Sequence, residues 1–397
     1  MMDPEVSVLL DCAAWRGLLQ AQVQVELSER YNRQTDAALE RHIEEMWSER
    51  VSKEPWLFNG AKFRLHSFSL ASPMCPLSSS VSPERSPCTH SSHVPISDCA
   101  DDREGELDNR QGEMARNSLD QRNGSVNQTE NGDGVTQQKT STLRRASSTC
   151  DCRAQEAEAL LTLRLGLTCY KDYLGTNWSC RVAELRRRGE EEFNDPLALL
   201  AQPLGVGAVL CTDDGQVVLI RRSQKVAEAG GLLDIPGGHP EPKAVCERLG
   251  QAVCDEQVDM AALQKRPEAV VAELFSSVCA EIRDEVNVPL RFLGEPVLMG
   301  VALNHTSAGR PSAEFYVSCS LTSDEVRKLY WKGGAEANES TDIVFLSRTE
   351  MLQLDRRSAL WSELCPSAKG AVQLYQSVKP DGGQNPSKKP AAENGSR

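Results

Sequence analysis

Hydrophobic and polar positions alternate in four short segments of the N-terminal half, the pattern of half-buried β-strands. The segments span residues 6–10, 23–27, 62–66 and 161–167. Between the second and the third segment, apolar residues recur at helical spacing from Leu39 to Val51, after a capping position at Thr35 or Asp36. These segments predict a small N-terminal α+β unit in which the third and fourth strands form a hairpin.

A second group of hydrophobic runs begins at residue 204. It predicts strands at 206–210, 217–222, 297–303, 314–319 and 342–346, and a last helix from Pro366 to about Tyr375. A loop rich in Gly and Pro follows the second of these strands, at 233–241. A long helix is predicted over Pro267–Val286, because Pro suits the first helical turn and the apolar residues from Val271 to Ile282 form one stripe.

The clearest break in composition separates the two strands of the predicted hairpin. No Phe, Trp or Tyr occurs between Phe68 and Tyr170, and the tract is rich in small and polar residues. Such a tract cannot bury enough apolar surface to offset its ordering entropy, so residues 72–158 are predicted to be a disordered insertion. Within it, Arg144-Arg145-Ala146-Ser147 matches a basophilic kinase target, which makes Ser147 a candidate phosphorylation site.

The expected organisation follows from these boundaries. An N-terminal α+β domain is formed by residues 1–71 and, after the insertion, by 159–200, which include a connecting helix from about Arg181 to Glu191. A second domain spans residues 201–378, and a disordered tail spans 379–397.

Composition narrows the possible partners and location. The 397 residues carry 44 Lys and Arg against 57 Asp and Glu, a net charge of −13, which argues against general nucleic-acid binding. No apolar run is long enough to cross a membrane, and the N-terminus lacks the features of a secretory signal. The 14 Cys are scattered without Cys-x-x-Cys pairs, as expected for reduced thiols. A cytoplasmic location is expected, with the nucleus as a further possibility.

The long predicted helix carries the most informative chemistry. Glu281 and Glu285 are four residues apart and lie on one helical face, with Asp284 beside them. Like charges at this spacing repel, and a divalent cation such as Mg²⁺ would relieve the repulsion. The alternative is a solvated acidic face that ends at Asn287 as a helix C-cap.

Two segments taken together resemble the Nudix box. They are 236–241 (Pro-Gly-Gly-His-Pro-Glu) and 280–288 (Ala-Glu-Ile-Arg-Asp-Glu-Val-Asn-Val). The chain departs from the box at Ala280, which replaces an Arg, at Asp284, which replaces a Glu, and at Asn287, which replaces a Gly. Residues 242 to about 266 resemble an insertion. The resemblance implies an α+β protein with the Nudix fold, an α/β/α sandwich around a mixed sheet, accompanied by the small N-terminal α+β domain and the long disordered insertion.

Further runs resemble a branch of the Nudix family that acts on UDP-sugars. They include 54–58, 62–67, 165–168, 174–178, 224–229, 273–278 and 363–370. The resemblance implies Mg²⁺-dependent hydrolysis of a small-molecule substrate, UDP-glucose or UDP-galactose, to UMP and the sugar 1-phosphate. Two alternatives stay open: a Nudix-fold binding module without catalysis, suggested by Ala280 and the insertion, and a pyrophosphatase for another nucleoside diphosphate derivative. Retention of acids at 281 and 285 favours an enzyme.

The resemblance also implies roles for the acidic residues. Glu281 and Glu285 are the expected Mg²⁺ ligands, with Asp284 as a weaker candidate. Glu241 matches the loop Glu of the box and is expected to be catalytic and to contact the substrate. Either Glu241 or Glu281 is the general base.

The remaining candidate residues are substrate contacts, each with a structural alternative. Arg222, at the end of the second strand of the second domain, is a phosphate clamp or an exposed strand-end side chain. Asp234 and His239 are hydrogen-bonding partners of sugar or phosphate, or turn residues. Phe58 and Tyr170 either stack on uracil or pack in the core. Ser367 either binds phosphate or sugar or caps a helix.

Overall fold

The structure, a computed structural model, describes residues 3–71, 160–226, 228–251 and 258–382. The predicted insertion at 72–158, with Ser147, lies outside these residues, as does the tail beyond residue 382. The strands are β1 (Val6–Asp11), β2 (Val23–Leu27), β3 (Ala61–Leu70), β4 (Leu161–Cys169), β5 (Gly205–Cys211), β6 (Gln216–Arg222), β7 (Leu233–Asp234), β8 (Gly237–Gly238), β9 (Val297–Asn304), β10 (Arg310–Ser318) and β11 (Ser340–Ser347). The α-helices are α1 (Ala37–Lys53), α2 (Tyr170–Gly175), α3 (Val182–Phe193), α4 (Pro242–Arg248), α5 (Met260–Gln264), α6 (Pro267–Val286), α7 (Ser323–Tyr330), α8 (Arg348–Gln353) and α9 (Pro366–Val378).

The larger sheet is mixed and has the order β1–β9–β10–β5–β6–β11, with β7 beside β6 and β8 beside β5. Its parallel pair is β10 with β5, and its neighbouring pairs on either side are antiparallel. The alternating apolar residues of β5 and β6 face opposite sides of this sheet. Val206, Ala208 and Leu210 pack in one core with α6, whereas Val209 and Cys211 pack in the other core with α9. The predicted α/β/α sandwich around a mixed sheet is thus confirmed.

The smaller sheet has the order β2–β4–β3 and confirms the predicted hairpin. Strands β3 and β4 pair antiparallel from Ala61 opposite Cys169 to Leu70 opposite Leu161. The apolar side chains of this sheet share a single core with α6, so α6 lies between the two sheets. The buried guanidinium of Arg64 holds this unit to the chain that follows α3, since it donates to the carbonyls of Leu197 and Leu200.

The first strand corrects the predicted N-terminal unit. Strand β1 pairs antiparallel with β9 at the edge of the larger sheet, whereas β2 pairs with β4. The alternation in the sequence marks β1 as a strand but does not specify its partner, which depends on where Val6 and Leu10 find apolar neighbours. The domain boundaries at 71, 159, 201 and 378 remain predictions.

The four predicted helices, observed as α1, α3, α6 and α9, begin and end close to their predicted positions. Asp36 caps α1, because its Oδ1 accepts hydrogen bonds from the amides of Ala38 and Leu39. Strand β10 begins four residues earlier than predicted, at Arg310. The region resembling an insertion contains α4 and α5, and no helix among the described residues is long and apolar enough to cross a membrane.

The close ends of strands β3 and β4 predict that the fold does not need residues 72–159 for its stability. The amide of Ala71 donates to the carbonyl of Leu160 at 2.8 Å, so the two ends of the described chain are adjacent. We expect that replacing residues 72–159 by a four-residue Gly/Ser/Asn loop leaves the free energy of unfolding equal or higher, because each halving of a loop lowers its closure cost by about 0.6 kcal/mol. Thermal unfolding of the two proteins tests this, and an unfolded variant would contradict it.

Candidate active site

Helix α6 brings the predicted acidic pair to the start of the Gly-rich loop. The helix ends at Val286, and Asn287 follows with φ 62°, the left-handed conformation of the predicted C-cap. The Asn287 side chain also donates to the carbonyl of Leu329 at 2.8 Å. This cap fixes the end of α6 one turn beyond Glu281 and directly after Glu285.

Two glycines let the α6 carboxylates approach the sheet. The Gly237 amide donates to Oε2 of Glu285 at 2.9 Å. A Cβ atom on Gly238 would overlap the carboxylate of Glu281, and one on Gly237 would lie 2.5 Å from the carbonyl oxygen of Val206. The Gly-Gly pair is therefore required by close approach on both sides.

The electrostatics of the pair suit a cation. Burial raises the pKa of Glu281 to about 7, with a contribution from the charges of Glu336 and Glu339. Burial also raises the pKa of Glu285 well above its ordinary value, while the Gly237 hydrogen bond and the charge of Glu281 act in opposite directions. Burial together with the neighbouring Glu339 likewise raises the pKa of Glu336. Carboxylates that repel one another in a partly dry site are the oxygen ligands that Mg²⁺ prefers.

The third predicted ligand, Asp284, is paired with its neighbour on the helix. The Asp284 carboxylate accepts a hydrogen bond from the Arg283 side chain at 2.7 Å. Within the described ranges, no group of three or more His, Cys, Asp or Glu side chains is assembled as a metal site. The donor chemistry at Glu281 and Glu285 fits Mg²⁺, but these described side chains do not form a complete ligand set.

Glu241 links the Gly-rich loop to the smaller sheet. Its carboxylate accepts a hydrogen bond from Nζ of Lys62 on β3 at 3.2 Å, and its amide donates to the Glu273 carboxylate at 2.9 Å. Glu273 in turn forms an ion pair with Arg248 of α4. The charge of Lys62 extends further. It offsets a small part of the rise in pKa that burial causes at Glu281, and it adds to the lowering of the His239 pKa, which is due first to desolvation.

Four predicted substrate contacts line one cavity of about 500 Å³ next to the Gly-Gly pair: Arg222, Asp234, His239 and Ser367. Arg222 donates from Nη1 to Oδ2 of Asp234 at 3.0 Å, and the Ser367 hydroxyl donates to the other oxygen, Oδ1, also at 3.0 Å. Arg222 also donates from Nε to the carbonyl of Glu228 at 3.1 Å. Asp234 thus holds the guanidinium of Arg222 and the hydroxyl of Ser367 in the cavity wall.

The structure does not bring Phe58 and Tyr170 to this cavity. Phe58 is 71% exposed, and Tyr170 packs edge-on against Trp47 of α1. The aromatic residue of this region that does line the cavity is Trp178, which packs on Tyr173 with ring centroids 5.9 Å apart.

Several cavity residues were not predicted from the sequence. Arg310, Ser312 and Glu314 project from alternate positions of β10, and this polar alternation within an otherwise apolar strand was an available signal. Glu228 and Glu339 come from loops whose sequence gives no such signal. Glu228 connects two parts of the fold, because it pairs with Arg310 at 3.1 Å and accepts the hydroxyl hydrogen bond of Tyr173.

Comparison with known proteins decides the family. No family model matches the chain. The uridine diphosphate glucose pyrophosphatase NUDT22 of Bos taurus is 41% identical over 378 residues, which are 95% of this chain and 99% of that protein. This chain belongs to the Nudix hydrolase family. The Homo sapiens NUDT22 is likewise 41% identical, over 95% of this chain and 94% of its own length.

More distant Nudix proteins also match. Nudix hydrolase 9 of Arabidopsis thaliana is 27% identical over 361 residues, 90% of this chain and 88% of that protein. A solved structure, the MutT protein from Methanosarcina mazei Go1, is 13% identical and covers 46% of this chain and 95% of its own, with a TM-score of 0.26.

The close contact at Gly237 predicts that a substitution there destabilises the protein more than the same substitution at Gly205. In Gly237→Ala, the new Cβ meets the Val206 carbonyl, so we expect the free energy of unfolding to fall by about 1–3 kcal/mol, as for other overpacked sites. Gly205→Ala is the matched control, because its Cβ would lie 3.4 Å from the nearest atom. Denaturant unfolding of both variants gives the comparison, and equal stabilities would contradict the close approach at Gly237.

Proposed function

We propose that this protein is a Mg²⁺-dependent Nudix pyrophosphatase that hydrolyses UDP-glucose and UDP-galactose to UMP and the sugar 1-phosphate. The observation that carries the proposal is the burial of Glu281 and Glu285 against the Gly-Gly wall of a cavity that also contains Arg222. Metal-binding carboxylates and a cationic side chain are the groups that a diphosphate needs on its two sides. Relatives named uridine diphosphate glucose pyrophosphatase, matching 95% of this chain, support the choice of substrate.

The proposed metal ligands are Glu281 and Glu285, with Asp284 as a third ligand if it leaves Arg283. When bound, Mg²⁺ would supply charge neutralisation on the diphosphate and polarisation of the scissile phosphoryl group. The Glu281 and Glu285 side chains must be ionised to hold it, which opposes the rise in pKa that their burial causes.

Arg222 is the proposed phosphate clamp. Its guanidinium is held by Asp234 and by the Glu228 carbonyl, so its direction is set before substrate binds. A guanidinium oriented in this way offers its remaining N–H groups to phosphate oxygens in a fixed geometry. Ser367 and His239 line the same cavity and are proposed to hydrogen-bond the phosphate or the sugar.

The proposed proton acceptor is either Glu241 or Glu281. Hydrolysis adds the elements of water across a bridging P–O bond, and the attacking water gives its proton to one of these carboxylates. Burial raises the pKa of Glu281 to about 7 without a cation, whereas a bound cation would lower it, so this pKa does not choose between the two carboxylates. Glu241 is the more accessible of the two, but the Lys62 ammonium group neutralises its charge.

The size and lining of the cavity suit a nucleotide sugar. A volume of about 500 Å³ lies within the range of small-ligand sites, roughly 300–1,000 Å³. Trp178 lines it and offers an aromatic face to uracil, while Phe58 and Tyr170 remain predictions that lie away from the cavity.

The first test is hydrolysis itself. With Mg²⁺, the purified protein is expected to convert UDP-glucose and UDP-galactose to UMP and sugar 1-phosphate, separated by ion-exchange chromatography. Glu281→Gln and Glu285→Gln are expected to lower kcat by about a hundredfold or more, a loss of roughly 3 kcal/mol in transition-state stabilisation. Glu295→Gln, at an exposed acid outside the cavity, is the charge-matched control.

One result would contradict catalysis, and another would contradict only its dependence on Mg²⁺. The first is UMP formation no greater than that of Glu281→Gln. The second is unchanged activity after all divalent cations are chelated. If UDP-glucose raised the melting temperature without being cleaved, the alternative of a binding module would be correct.

A neighbouring pair of arginines tests the phosphate clamp. Arg222→Gln is expected to raise the KM for UDP-glucose about tenfold or more, because a hydrogen bond to a charged group contributes about 1.5–3 kcal/mol. Arg221→Gln is the control, since Arg221 pairs with Glu363 at 2.9 Å and is absent from the cavity wall. Equal KM values for the two variants would remove Arg222 from this role.

A further inference from the structure

A row of polar side chains crosses the cavity floor along β10. Arg310, Ser312 and Glu314 occupy alternate positions of this strand and all three line the cavity. Their neighbours on β5, in parallel register, are Gly205 opposite Ser312 and Gly207 opposite Glu314. The floor is therefore a polar row beside a row without side chains.

Glu314 is the residue of this row that the fold leaves unsatisfied. It is 0% exposed, and among the described residues neither carboxyl oxygen has a hydrogen-bond partner. Burial raises its pKa to about 8, and the nearby Ser312 hydroxyl opposes part of that rise. The geometry between Ser312 and Glu314 is not that of a hydrogen bond. The positive charge of Arg310 compensates Glu314 only in part, because the Arg310 guanidinium pairs with Glu228 at 3.1 Å.

The glycine opposite Glu314 leaves room for this carboxyl group beneath the cavity floor. A Cβ atom on Gly207 would overlap Oε2 of Glu314 and would also meet the Ile235 side chain at 2.6 Å. Gly207 pairs in turn with Gly237. The backbone of Glu314 thus lies two strands, about 10 Å, from the backbone of Gly237, whose amide binds Glu285.

We propose that Glu314 is a substrate-binding residue that hydrogen-bonds the hydroxyl groups of a sugar ring attached to the diphosphate. The inference deepens the proposed function and rests on it. A buried carboxyl group without a partner is costly in the free protein, and a ligand that supplies partners recovers that cost on binding.

Sugar hydroxyls fit this position better than the edge of uracil does. A hydroxyl both donates and accepts, so two of them satisfy a carboxylate by donating to it, or a neutral carboxyl group by donating and accepting. Uracil offers a single N–H donor outside its glycosidic nitrogen, which leaves one oxygen of an ionised Glu314 unpaired. The ribose and the hexose carry the same hydroxyl chemistry, and both adjoin the diphosphate.

Three variants test the proposal. Glu314→Leu removes all hydrogen bonding at similar volume, Glu314→Gln retains a donor and an acceptor, and Glu295→Gln is the exposed control. Glu314→Leu is expected to raise the KM for UDP-glucose about tenfold or more, with kcat changed less than threefold, and Glu314→Gln is expected to restore part of the loss. Glu314→Leu should melt at or above the wild-type temperature, since it removes an unpaired buried carboxyl group, whereas Glu314→Gln keeps an unpaired buried polar group and should melt near it.

Calorimetric binding of UMP and of 2′,3′-dideoxy-UMP, both with Mg²⁺, identifies the sugar. If Glu314 binds the hexose, Glu314→Leu leaves both dissociation constants unchanged while the KM for UDP-glucose rises. If it binds the ribose, the variant weakens UMP about tenfold and leaves 2′,3′-dideoxy-UMP unchanged, because that ligand has no ring hydroxyls to lose.

Two outcomes overturn the inference. In the first, Glu314→Leu weakens UMP and 2′,3′-dideoxy-UMP equally, which assigns Glu314 to the base or the phosphate. In the second, a folded Glu314→Leu protein shows no change beyond twofold in KM or in either dissociation constant. Failure of the wild-type protein to cleave UDP-glucose is a separate result that contradicts the proposed function. Calorimetric binding of UDP-glucose, beside UMP and 2′,3′-dideoxy-UMP, then tests Glu314 in place of the KM.

Discussion

The site depends on two carboxylates that lie against the main chain of a Gly-Gly turn. They lie so close to it that only glycine, which has no Cβ atom, fits there. Glu285 accepts the Gly237 amide, and Glu281 occupies the space that a Cβ atom of Gly238 would need. Both acids are taken partly out of water next to other acids, which raises the pKa of each. The carboxylates of Glu281 and Glu285 therefore repel each other in the folded protein, and a bound cation would relieve that repulsion.

Holding repelling groups together requires a rigid support, and the position of α6 between two sheets provides it. One side of the helix packs on β5 of the larger sheet, and another packs on β2 of the smaller sheet. Arg64, buried in the smaller sheet, donates to carbonyls of the segment that leads into β5. The N-terminal unit is consequently part of the framework of the site, and Lys62 and Tyr173 carry side chains from it to Glu241 and Glu228.

The elements that the sequence predicted well are those whose signal is local. The bounds of α6 match the prediction because Pro267, the apolar stripe and the Asn287 cap are all features of one segment. Arg222, Asp234, His239 and Ser367 were predicted as site residues because they flank the Gly-rich loop or begin a helix, and the structure brings all four to one cavity. The partner of β1 was not predictable, since alternation carries no information about which strand lies beside it.

The unpredicted parts of the site arise from long-range packing. Glu336 and Glu339 act on Glu281 from a loop that follows α7 by 6 and 9 residues, where an acid has no distinguishing pattern. Phe58 and Tyr170 were chosen as aromatics at the two ends of the hairpin, but the turn after β4 directs Tyr170 toward Trp47 of α1. Trp178, one helix further along, reaches the cavity instead. Which aromatic ring reaches the cavity is therefore determined by the fold and not by position along the hairpin.

The Nudix box has an Arg where this chain has Ala280, and the smaller sheet supplies a different basic residue, Lys62, near the acids of the site. The Arg of the box would lie on the same helix as Glu281 and Glu285, and this chain has no charge at that position. Lys62 brings a cation to the site from β3, where it pairs with Glu241 and offsets a small part of the rise in pKa that burial causes at Glu281. A cation held on a neighbouring sheet acts only while the two sheets keep their places on α6. In this protein, the electrostatic balance of the carboxylates is therefore tied to the docking of the N-terminal unit rather than to the helix alone.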